Sequence, residues 1–122
     1  MIRAVRSYFA SMKATSRFGR ASKLCADGKK DEALVLAQEV LAILRAPVIV
    51  RTNPAEGSVL LCCTMLVEEL AHELHQPGAE KADISDSLAY VKLMPEGANV
   101  DDLRAWIPYL ESRMHDGDAN AV

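Results

Sequence analysis

Residues 54–76 read PAEGSVLLCCTMLVEELAHELHQ, and this stretch decides the fold. Nine residues, Val59 to Val67, include one polar side chain, Thr64. Such a run belongs inside a protein. Its start is well marked: Asn53 can cap, Pro54 suits the first helical position, and Glu56 meets the positive end of the helix dipole. Pro77-Gly78 ends it. A helix of this length spans roughly 35 Å, yet Glu68 and Glu69 interrupt the apolar run too soon for it to cross a bilayer. The spacing centres the apolar side near Cys63, Leu66, Leu70 and Leu74. It puts His72 about opposite, flanked by Glu68 and Glu69 on a solvated, ion-paired face.

Upstream, a first helix is expected from about Arg3 to Ala26, with Ile2, Val5, Phe9 and Met12 forming an apolar stripe and Tyr8 and Phe18 off it. Such a helix bends near residues 15–19, or its two ends pack on different neighbours. Gly28-Lys29-Lys30 reads as a tight turn. A second helix then runs from Asp31 to Arg45, with acids in its first turn and apolar residues on more than one side. Ala46-Pro47 stops it, and Val48 to Val50 reads as extended backbone over the core. Downstream, Asp83 with Asp86 marks a capped start, and Ile84, Leu88 and Val91 line one face up to Met94. Pro95-Glu96-Gly97 breaks the chain again. Asn99 and Asp102 open a last helix carrying Val100, Leu103, Ile107, Leu110 and Met114, with a kink expected at Pro108. Residues 117–122 are expected to fray.

Ala21, Leu24, Gly28, Ala33, Leu34 and Ala37 together resemble the small-residue, Gly-turn, Ala-Leu pattern of a tetratricopeptide repeat over roughly residues 17–47. The resemblance implies two antiparallel helices that stack on a following pair. The pattern departs from the family's at Arg17, Ala37 and Val40, and no second copy follows at the repeat spacing.

With 122 residues, half of them hydrophobic, the chain fits one domain with a modest core. Aromatics are few, and Ala, Leu, Glu, Lys and Met dominate, which favours helices over sheets. The net charge of −3 conceals an uneven distribution: residues 1–52 carry +6 and residues 53–122 carry −9. Complementary halves attract within one fold or between two copies. A negative whole argues against nucleic acid. Cys25, Cys62 and Cys63 are an odd set, two of them in the most apolar stretch, which points to a reducing compartment, hence the cytoplasm. The N-terminus lacks the apolar centre of a secretory signal. Its six basic residues and four serines without an acid before Asp27 suit a transit peptide, although a basic first helix has the same composition.

The most suggestive polar cluster is Glu68, Glu69, His72, Glu73, His75 and Gln76. Glu69 and His72 have the spacing of di-iron carboxylate bundles, and His72 and His75 are also three apart. A di-iron site needs a second such pair from facing helices, and the two histidines lack one residue of the zinc-protease spacing. Glu69, His72 and His75 are thus the metal candidates, set against a plain surface face. Cys62-Cys63 has no nearby base to activate a thiol. No phosphate loop, nucleophile elbow or catalytic carboxylate pair is present, and no cofactor is implied.

The expectation is therefore an all-α domain over residues 1–122, of about five helices. They form antiparallel hairpins and a kinked terminal helix, in a short tetratricopeptide-like solenoid or a small orthogonal bundle. The function expected is a non-enzymatic protein-binding or adaptor module that pairs with another protein or with itself as a homodimer, without nucleic acid or membrane. The alternatives are a metal protein or enzyme using residues 68–75, and a small immunity-type inhibitory partner.

Overall fold

The computed structural model describes the backbone of residues 2–45, 54–94 and 101–120, and the side chains of residues 9–45, 57–94 and 102–115. Helix α1 spans Ile2–Ala26, α2 Lys30–Leu44, α3 Pro54–Leu74, α4 Lys81–Leu93, α5 Asp101–Arg104 and α6 Ile107–Asn120. The fold is an all-α bundle. Neighbours in sequence pack on one another: α1 on α2, α2 on α3, and α3 on α4, with α6 closing on α4 and α1 also touching α3. No helix among the described residues is long and apolar enough to cross a membrane.

The first hairpin turns at Gly28, whose φ of 83° is readily open only to a residue without Cβ. The Lys29 N–H donates to the Leu24 carbonyl at 2.9 Å and the Gly28 N–H to the Cys25 carbonyl at 3.1 Å, the two bonds of a Schellman stop. Across the hairpin, Ala14, Ala21, Ala33 and Ala37 are buried, so the two backbones can come close. Leu34, Val40, Leu41 and Leu44 complete the inner face of α2.

The apolar stripe expected on α1 is a correction. Phe9 is 63% and Met12 51% exposed, whereas the inward line runs through Ala10, Ala14, Phe18, Ala21, Leu24 and Cys25. Side-chain size misleads here because close helix packing selects alanine. Helix α1 continues unbroken through Gly19; the side chains of Ile2, Val5 and Tyr8 lie outside the described residues.

Helix α3 is the centre of the core, but its buried arc is centred on Leu60, Thr64, Val67 and Ala71. That is roughly a quarter-turn from the side expected. Leu70 is buried and Leu66 only partly so. The shift follows from polar contacts that apolar periodicity does not see. The Ser87 hydroxyl of α4 meets the Thr64 hydroxyl at 3.1 Å, both buried. Helix α3 also stops two residues early, at Leu74. His75 takes a left-handed φ of 56°, and the Gln76 N–H donates to the Ala71 carbonyl at 2.8 Å.

Helix α4 begins at Lys81 rather than at Asp83, with no side-chain cap on Glu80. Asp83 is 0% exposed and accepts from Arg45 Nη2 at 2.5 Å, so it ties α4 to the end of α2 instead of capping. Ile84 and Val91 are buried as their spacing predicts, with Leu88 partly so. The terminal helix is divided rather than kinked. A turn at Ala105-Trp106 separates α5 from α6, and Pro108 is the second residue of α6, where its missing N–H costs nothing. The backbone of α6 is helical to Asn120. The expectations for Val48 to Val50, Asn53, Pro95 to Gly97 and Asn99 fall outside the described residues.

Candidate functional site

Two places concentrate side chains able to do more than fill space. The first is interior and polar. Glu68, expected on the solvated face, is 4% exposed. Its position one turn beyond Thr64 on α3 aims it at the α3–α4 loop and α6. Its Oε1 accepts from Arg113 Nε and, at 3.0 Å, from the Tyr109 hydroxyl; Oε2 accepts the Ala79 N–H at 2.9 Å. Arg113 Nη2 also donates to the Ala79 carbonyl at 3.3 Å. A Cβ on Gly78 would collide with Glu68 Oε2, so glycine there lets the loop close over the carboxylate.

Electrostatics follow from these contacts. The hydrogen bond to Glu68 raises the Arg113 guanidinium further, and burial with the neighbouring Glu68 charge raises Tyr109. Arg113 stays charged and Tyr109 stays protonated, each fixed as a donor. Three donors occupy both oxygens of Glu68, so it is a structural clamp rather than an available base. Beside it a pocket of about 280 Å³ is lined by this cluster with His72 and Gln76.

The metal candidates are not drawn together. Glu69 and His72 are exposed on α3, while His75 has left the helix through its left-handed turn. Among the described residues no three His, Cys, Asp or Glu side chains converge as a metal site would need. Glu73 is taken up in an ion pair with Lys30. Cys63 donates to the Ala37 carbonyl at 3.2 Å, and burial pushes its thiol up to about 12; burial raises Cys62 as well. Neither is activated. A smaller pocket of about 190 Å³ lies between Phe18, Met65, Cys62 and Trp106.

The second place is exterior. A groove of about 450 Å³ lies between α1 and α2. Leu24 and Leu36 are partly buried in it and Val35, 58% exposed, stands at its edge. Asp31, Glu32 and Glu39 line it with carboxylates, against one cation, Arg20. None of the three carboxylates is in an ion pair among the described residues. Sequence reasoning missed this groove because it treated Asp31 and Glu32 as dipole partners and read α2 as covered on more than one side, without singling out Val35. The signal present was the odd placement of Val35 on the face it shares with Gln38, Glu39 and Ala42, all exposed.

Comparison with protein-family models, curated proteins and solved structures found no match to this chain.

Proposed function

We propose that this protein is a non-enzymatic interaction module whose binding face is the outer side of the first hairpin. One observation carries the reading: the α1–α2 groove joins the exposed Val35 and the half-buried Leu24 and Leu36 to three carboxylates that have no ion-pair partner among the described residues, whereas the interior polar groups Glu68 and Asp83 are engaged by partners. Unspent apolar surface beside unspent charge is what a binding face offers. The resemblance of residues 17–47 to a tetratricopeptide helix pair points the same way. An inhibitory partner of another protein would use the same face.

Photo-cross-linking in the native host tests it. A photoreactive residue replacing Val35 is expected to capture protein at a defined mass, while the same residue replacing Ser85, exposed on α4, captures none. Equal yields at both positions, or none at Val35, would remove the reading.

A further inference from the structure

The small pocket beside Trp106 takes its walls from three segments. Phe18 and Ser22 stand one turn apart on α1, Cys62, Leu66 and Glu69 follow at helical spacing on α3, and Trp106 closes it from the turn between α5 and α6. Phe18 and Trp106 rest on the core with part of their surface and line this space with the rest. Neither ring has an aromatic or cationic partner among the described residues. The lining is apolar except for the exposed Ser22 and Glu69, and burial holds the Cys62 thiol in its neutral form.

Glu69 is the charged member of that lining and has no ion pair among the described residues. The cations nearest to these side chains are turned elsewhere. Arg17 and Lys23 lie roughly 120° round α1 from the midpoint of Phe18 and Ser22, and Arg20 lies roughly opposite it. Arg104 donates to the Met94 carbonyl, His72 lines the pocket beside Glu68, and Lys30 is paired with Glu73. Two aromatic faces and an unpaired carboxylate thus give an otherwise apolar space a negative potential.

We propose that this pocket binds a quaternary ammonium group carried by a small solute, with Phe18 and Trp106 against its methyl groups and Glu69 at the rim. Volume sets the size of the guest: about 190 Å³ is below the roughly 300–1,000 Å³ of pockets that hold a drug-sized ligand, so the space takes one headgroup. Lining chemistry sets its kind. A primary ammonium is strongly hydrated and brings three N–H donors, for which only the Glu69 and Ser22 side chains offer oxygens among the lining residues. A methylated nitrogen keeps the charge with no N–H to satisfy, so it can leave water for apolar walls and aromatic faces. An anion would be repelled by Glu69. Phe18 and Ser22 lie on a different side of α1 from Arg20 and Leu24, so this site stands or falls apart from the groove and its partner.

Trp106 is the one tryptophan of the chain, so its emission reads the pocket directly. Choline is the probe, titrated into the full chain to about 50 mM, enough to saturate a millimolar Kd, against sodium chloride at equal ionic strength. Its neutral isostere, with carbon in place of the nitrogen, is the second ligand. Choline is expected to change the emission saturably and to bind at least about tenfold more tightly than the isostere. Phe18→Leu should weaken choline binding by about tenfold, and Glu69→Gln by about threefold with an unchanged thermal midpoint. A choline response no larger than that to salt, equal binding of the isostere, or unaltered choline binding by Glu69→Gln would each overturn the site. A response to a trimethyl-lysine peptide with none to choline would overturn the small solute as the carrier.

Discussion

Arg113 of α6 donates its Nε hydrogen to Oε1 of Glu68 on α3 across 45 residues of sequence, and its Nη2 reaches the Ala79 carbonyl of the loop between α3 and α4. Three segments thus meet on one buried carboxylate. Removing the cation strands that charge, which in buried pairs costs about 3–5 kcal/mol. Arg113 keeps 28% of its side chain in water, so the lower end is expected for Arg113→Ala. Glu68→Gln, which retains the shape and an acceptor, should cost about 1–2 kcal/mol. Urea unfolding of both and of the double variant checks this. The double variant should cost at least about 1 kcal/mol less than the sum, and strict additivity would mean that the clamp does not act as a unit.

Two helical glycines should respond to alanine with opposite signs. Nothing lies within 4 Å of a Cβ added at Gly19, so Gly19→Ala gains helix propensity, about 0.5–1 kcal/mol. At Gly57 the added Cβ would overlap the ring of Tyr90, which crosses α3 there, so Gly57→Ala should destabilise by about 1–3 kcal/mol. Thermal midpoints moving the same way would contradict the placement of Tyr90.

His75 stops α3 in a left-handed conformation. A Cβ in that region costs about 1–2 kcal/mol, so His75→Gly should raise stability by roughly 1 kcal/mol, less the entropy glycine adds to the unfolded chain. An unchanged or lower unfolding midpoint would argue against the left-handed stop.

Alkaline pH should weaken the fold through Cys63. Burial raises its thiol from 9.0 to about 12, so the fold favours the protonated form. That contribution is whole below pH 9.0 and is lost as pH rises toward 12; Cys62 and Tyr109, shifted the same way, add to the loss. Unfolding free energy measured upward from pH 9.0 should fall, and Cys63→Ser should flatten the slope by about 1 kcal/mol per pH unit. Parallel slopes for wild type and variant would place Cys63 in water.

Helix positions were legible in the sequence because Pro, Gly and apolar runs act locally: Gly28 and Pro54 each stand at a helix boundary, whereas Pro108, read as a kink, instead opens α6. Helix facing was less legible. On α1 the large residues Phe9 and Met12 face out while Ala14 and Ala21 face in, which no scale of hydrophobicity anticipates. On α3 the buried side includes Thr64 and Glu68 because Ser87, Tyr109 and Arg113 arrive from distant segments to satisfy them. Neither the clamp nor the groove is a motif. Each exists only after tertiary contacts bring residues together, which is why the candidates Glu69, His72 and His75, chosen by spacing on one helix, are not the residues the fold assembles.

Association through the outer face of the first hairpin is tested most directly by sedimentation of the wild type and of Phe9→Ser with Val35→Ser, at tens of micromolar chain, in low salt and in about 0.5 M salt, where the Debye length falls to about 4 Å. Apolar burial contributes about 25 cal/mol per Å² and exposed ion pairs only about 0–1 kcal/mol each. The wild type is therefore expected at twice the 13.3 kDa chain mass in both salts. The double variant is expected at 13.3 kDa, still unfolding cooperatively, with a midpoint no lower than that of wild type diluted until it is monomeric. A wild type at 13.3 kDa throughout, or a double variant that associates as the wild type does, would contradict it.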